Sequence, residues 1–176
     1  MKKILFILFL SFSFSQIEIW TKSYNNYSEP FSISNTEDGG YIGGNNSNLL
    51  VKFDSEGNVE WESSIPIGSI NTVKQTSDGE YILSTNSSNY NCDAVKVDSN
   101  GQVVWIVNLK PGNGYGGLND VIIKDNGNYL FIGMQNNTGA GGWNARYVEL
   151  TPSGEIVSDL MLPDTGGDEI GYNILE

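Results

Sequence analysis

Two stretches of the chain read Asp54-Ser55-Glu56-Gly57 and Asp98-Ser99-Asn100-Gly101, runs of oxygen donors of the kind that hold a hard cation. Calcium takes about six to eight oxygen ligands. Each stretch offers at most two carboxylates, and Thr151 replaces the aspartate in a third copy, Thr151-Pro152-Ser153-Gly154. That donor count favours a structural turn over a metal site. Paired carboxylates are the next chemistry to weigh, since glycoside hydrolysis needs two of them about 5 to 10 Å apart. Most aspartates here recur at turn positions, where backbone geometry explains them. Asp93 and Asp120 stand off that pattern and are thin support for such a pair. The chain has no histidine, Arg146 is its single arginine and Cys92 its single cysteine. Histidine–cysteine zinc sites, Ser-His-Asp and Cys-His catalysis and an intrachain disulfide are therefore excluded. A catalytic site is not expected, nor a cofactor or a metal.

The elements that would position these residues are written as a repeat. Its first copy runs Asp38-Gly39-Gly40-Tyr41, Lys52-Phe53-Asp54, Gly57 and Trp61; its second runs Asp78-Gly79-Glu80-Tyr81, Lys96-Val97-Asp98, Gly101 and Trp105. The third is worn, with Asn126-Gly127-Asn128-Tyr129, then Glu149 for the lysine and Ser158 for the tryptophan. A period of about 40 to 50 residues with four strand-like segments per unit predicts β-propeller blades. Val-, Ile-, Tyr- and Trp-rich segments bounded by Gly, Asn, Asp and Ser predict short antiparallel strands A to D. In the first unit these are Phe31–Asn35, Tyr41–Asn45, Leu49–Phe53 and Asn58–Glu62. The fold class is all-β, with three full blades at approximately 31–63, 70–109 and 118–161. Tyr41, Trp61, Tyr81, Trp105 and Tyr129 are expected to be structural, each tryptophan packing between sheets.

The ends read differently. Lys2-Lys3 ahead of the apolar run from Ile4, with Ser13 and Ser15 before Gln16, predict a signal peptide over 1–15 and an exported domain over 16–176. Residues 17–22, with Trp20, resemble an isolated D strand, and 168–176 the start of a further A strand. An array of three blades plus two single strands is an incomplete or open propeller, because closed ones have about four to eight blades. A truncated reading frame is the favoured explanation; self-association through open blade faces and an atypical three-unit array are the others. Net charge is −12 and the leader holds two of the nine basic residues. That surface argues against nucleic acid, and against membrane association once the leader is cleaved.

Candidate binding residues are those that break the repeat. Gly112-Asn113-Gly114-Tyr115-Gly116-Gly117 with Asp120, and Asp164-Thr165-Gly166-Gly167-Asp168-Glu169, are D-to-A connections that would gather at one mouth of a propeller channel. Tyr115, Asp120, Asp168 and Glu169 are the candidates for a polar or cation-binding surface there. Trp143, inside Gly139-Ala140-Gly141-Gly142-Trp143-Asn144, is either a loop contact for a ligand or the start of strand C.

The wording Asp-Gly-Gly-Tyr-Ile-x-Gly-Gly, then Leu-x-Val-Lys-Phe-Asp-x-x-Gly-Asn-x-x-Trp, resembles the propeller-like repeats of exported Bacteroidetes-type surface proteins. Those proteins often carry a type IX secretion sorting domain, which is not found here. The resemblance implies a fold and carries no catalytic residues. The expected role is a non-enzymatic module for binding or scaffolding, secreted, at the cell surface or periplasmic, with a protein or glycan as ligand. A structural spacer in a larger surface protein or adhesin is the alternative, and a carboxylate-based glycan-active enzyme the third reading.

Overall fold

The computed structural model describes residues 30–86, 92–109, 115–136, 142–163 and 167–175, except the side chains of Pro30, Phe31 and Tyr115. The predicted leader and the single strand at 17–22 lie outside these residues. Twelve strands form three four-stranded antiparallel sheets in chain order. The first holds β1 (Pro30–Asn35), β2 (Tyr41–Asn45), β3 (Leu49–Phe53) and β4 (Val59–Ser64). The second holds β5 (Ser69–Gln75), β6 (Tyr81–Asn86), β7 (Cys92–Val97) and β8 (Val103–Asn108). The third holds β9 (Tyr115–Ile123), β10 (Tyr129–Asn136), β11 (Asn144–Leu150) and β12 (Ile156–Met161).

The hairpins follow from local chemistry. At the A–B turn of the first sheet Gly39 takes φ 82°, which a side chain would strain, while Asp38 Oδ1 accepts Gly40 N at 2.9 Å. At the C–D turn Asp54 Oδ1 accepts the backbone N–H of Glu56 at 2.9 Å and of Asn58 at 2.7 Å. Asp98 does the same for Asn100 and Gln102, and Thr151 Oγ1 accepts Glu155 N. The aspartates of the Asp-x-x-Gly runs thus cap their own turns.

Consecutive sheets stack face to face through two apolar cores. Between the first and second lie Ile42, Leu50 and Ile65 against Ile70, Val73, Leu83 and Val95. Between the second and third lie Ile82, Ala94 and Leu109 against Leu118, Val121, Phe131 and Val148. The repeat tyrosines and tryptophans meet across these junctions. Trp61 stands edge-on to Tyr81 with ring centroids 5.9 Å apart, and Trp105 is tilted on Tyr129 at 6.3 Å. A Cβ at Gly101 would come within 2.8 Å of the Trp61 ring, so the glycine of one C–D turn leaves room for the preceding tryptophan.

The repeat lysines are buried at the same junctions. Lys52 contacts Asp38 and Glu60, both at 2.7 Å, and Lys96 contacts Asp78 at 3.0 Å and Glu80 at 2.7 Å. The third copy is reversed in sign rather than lost: Glu149 accepts from Lys124 at 2.9 Å and from Asn128 at 2.7 Å. Each buried large apolar side chain contributes roughly 1.5–3 kcal/mol, whereas partly exposed ion pairs contribute about 0–1. The apolar junctions hold the sheets together.

Inner strands β1, β5 and β9 are neighbours in space and are tied by side chains. Val73 N donates to Ser32 Oγ at 3.2 Å, Thr72 Oγ1 to Asn119 O at 3.0 Å and Asn71 Nδ2 to Leu118 O at 2.7 Å. Residues 167–175 form no strand, yet they repeat these links on the third sheet. Asn119 Nδ2 donates to Gly171 O at 2.8 Å, and Ile174 N to Asp120 Oδ2 at 3.1 Å. The outward faces of the array are less covered. Val73 and Val121 are 0% exposed, while Ile33 at the matching position of the first sheet is 63% exposed. Ile65 and Leu109 are buried, while Leu162, which follows β12 as they follow β4 and β8, is 42% exposed.

Candidate functional site

The inner strands end side by side at their A–B turns, and a cavity of about 630 Å³ opens there. The three strands supply the same register to it. Asn35, Gln75 and Ile123 pair with the repeat tyrosines Tyr41, Tyr81 and Tyr129. Ser34, Lys74 and Ile122, one residue earlier, pair with Ile42, Ile82 and Leu130. The tyrosines are kept from sheet to sheet, Tyr41 on the lining itself, while the two strand-end positions opposite them differ in every copy.

Lys74 is the charge of this cavity. Lys52, Lys96, Lys124 and Arg146 each have a carboxylate partner, whereas among the described residues none lies within 4.0 Å of Lys74. Ser34 Oγ donates to Val73 O at 2.7 Å, and Gln75 Oε1 accepts Glu37 N at 2.7 Å. Those bonds turn the Gln75 NH₂ into the free end of its amide and leave the Ser34 lone pairs as acceptors.

The residues singled out from sequence lie elsewhere. Tyr115 is the first residue of β9, not part of a loop, and Ile123 is the last, so the two ends are about 25 Å apart. At the Tyr115 end three of the five candidates come together. Trp143 N donates to Asp168 Oδ1 at 2.8 Å and Glu169 N to Trp143 O at 2.6 Å. Trp143 directly precedes β11. Asp120 is set apart from them on β9, where Oδ1 accepts Val121 N and Oδ2 accepts Ile174 N.

The carboxylates off the repeat each have their own hydrogen-bond partners. Asp93 is 7% exposed, burial raises its pKa, and its partner is Asn108 Nδ2 at 2.7 Å. Among the described residues no three or more metal-ligating side chains cluster. Cys92 is fully buried, and burial pushes its thiol up to about 11 despite the Arg146 guanidinium 3.7 Å away. Arg146 itself forks onto Asp159 at 2.6 and 2.8 Å, bracing β11 on β12.

No family model matches the chain, and no curated protein matches it. Solved structures do. A protein of unknown function from Bacteroides caccae superposes with TM-score 0.52 and 20% identity, over 73% of this chain and 42% of that one. The β-propeller domain of Cps50 (Swd1) from Myceliophteria thermophila gives TM-score 0.54 and 17% identity over 79% and 46%.

The fold is that of β-propeller blades.

The Dos1 propeller agrees, with TM-score 0.52 and 14% identity over 81% of this chain and 37% of that one. The chain spans less than half the length of each of these propellers. Its three sheets are consecutive blades, β1, β5 and β9 are their inner strands, and the cavity at Lys74 lies where those strands turn outward. Lys74 lies within β5, away from the loops that break the repeat. The available signal was the column Ser34, Lys74, Ile122, where the copies agree on strand and disagree on chemistry.

Proposed function

We propose that the chain is an exported, non-enzymatic propeller module that binds a protein or glycan ligand. The observation that carries this reading is the contrast at the inner-strand ends. Framework positions keep their tyrosines, while the adjoining cavity positions carry serine, lysine and isoleucine in turn. The cavity at those positions has the size and the mixed apolar and polar lining of a ligand site. The off-repeat carboxylates support the non-enzymatic part, since Asp120 holds backbone N–H groups and Asp93 is tied to Asn108. Export rests on the leader pattern at 1–15, and placement among Bacteroidetes-type surface repeats on the motif wording.

The test is to screen the purified chain against peptide and glycan arrays, alongside chromogenic glycosides. Saturable binding without turnover is the expected result. Turnover of a glycoside would overturn the non-enzymatic reading, and blank arrays would leave the spacer role in its place.

A further inference from the structure

We propose that the cavity at the inner-strand ends is a binding site for an organic carboxylate with a compact apolar body, and that Lys74 is its cation. The proposal rests on the binding role and names the ligand chemistry. Four of the five described cations are neutralised within the fold, by Asp38 and Glu60, Asp78 and Glu80, Glu149, and Asp159. Lys74 stands half-buried at a cavity wall with no such partner among the described residues. A half-buried ammonium loses part of its hydration, and an incoming carboxylate restores what it lost.

The rest of the lining selects the kind of anion. Ile33, Ile122 and Ile123 are apolar walls, and the Tyr41 ring adds a half-buried aromatic surface. Gln75, its carbonyl held by Glu37 N, and Asn35 place amide groups elsewhere on the same lining. A single ammonium among apolar walls suits one carboxylate. A phosphate dianion calls for more cationic donors than the described lining supplies. The acidic surface, at −12 overall, weakens the approach of any anion from a distance. That field is screened within about 8 Å at physiological salt, so contacts inside the cavity decide the preference.

The experiment is titration calorimetry, with saturation-transfer NMR for weak ligands, of the full chain against benzoate and its uncharged isostere benzamide. Benzoate is expected to bind at least about tenfold more tightly. Lys74→Gln should abolish that preference and Lys74→Arg should keep it, with circular dichroism melts confirming that both fold. Comparison of N-acetyl-leucine with 4-methylpentanoate then identifies the source. Tighter binding of the former marks a peptide carboxyl terminus, and of the latter a free acid. Equal affinity for benzoate and benzamide in the unaltered protein overturns the carboxylate proposal, a result that needs no variant. An unchanged preference in Lys74→Gln overturns the role of Lys74. If neither compound binds while the arrays register a ligand, this site is wrong and the binding role stands.

Discussion

Ile70 fills the space that a side chain at Gly44 would need: a Cβ there would lie 2.3 Å from Ile70 Cγ2. At the far end of the array the sizes are exchanged, and a Cβ on Gly171 would lie 2.3 Å from Ile132 Cγ1. Ile132 and Gly44 occupy the same position in their B strands. One contact therefore sets large over small, and the other small over large.

Gly44→Val should destabilise the protein by about 2 kcal/mol or more through overpacking, and Ile70→Ala by roughly 2–5 kcal/mol through the cavity it leaves. Urea denaturation of the double variant should show less loss than the two singles combined, by at least about 0.5 kcal/mol. Strict additivity would mean the two residues do not share that space.

Acid should weaken the fold through the A–B turns. Hydrogen bonds from Lys52, Thr36 and Gly40 hold the Asp38 carboxyl well below its ordinary 3.8. Burial works against Asp78, yet Thr76 and Lys96 hold it low as well. A lowered folded-state pKa gives stability that is present above 3.8 and is lost as pH falls below it. Urea midpoints from pH 6 down to pH 3 (roughly the range where such carboxylates titrate) should fall, and Lys52→Met should flatten that limb.

Asp93 has the opposite sign. Burial raises its pKa, so its contribution is greatest below 3.8 and is lost as pH rises through the raised value. Asp93→Asn should therefore gain on the unaltered protein as pH climbs toward neutrality, with the two converging in acid. A constant offset across pH would show that the charge is not what matters.

Cys92 should be inert in the native state. It is 0% exposed and its thiol is pushed up to about 11, so little thiolate exists at neutral pH and reagent cannot reach it. Iodoacetamide labelling followed by mass spectrometry should find it unmodified until denaturant unfolds the second blade. Rapid labelling without denaturant would contradict its burial.

Exposure of Ile33 separates the outer face from the junctions. Ile33→Lys should change stability by no more than about 0.5 kcal/mol. Val73→Lys, at the matching position inside a junction, should unfold the chain or remove at least about 3 kcal/mol. Thermal melts decide the pair, and a large loss from Ile33→Lys would show that the first blade's outer face is packed in solution.

Much of the fold was legible because its causes are local. Strands β2 and β3 begin and end where the turn residues put them, since Asp38-Gly39 and Asp54 to Gly57 leave the backbone one easy course. The sign reversal at Glu149 was hidden, because its partner Lys124 sits at a different position of the repeat from Asp38 and Asp78. Tyr115 read as a loop residue because Gly114, Gly116 and Gly117 surround it, yet Tyr115 pairs with Asn136 in the sheet.

Composition and spacing by themselves determined that this chain is built of repeated antiparallel hairpins with tyrosine and tryptophan at set places, because turn chemistry and side-chain alternation act within a few residues. Tertiary structure alone decided which side chains meet and which are left open. Ile33 and Val73 hold the same place in their strands, and only the presence of a neighbouring blade makes one exposed and the other buried. Lys74 became a cavity residue in the same way. Three strand ends far apart in sequence converge there, and convergence is a property of how blades stack, which no single repeat encodes.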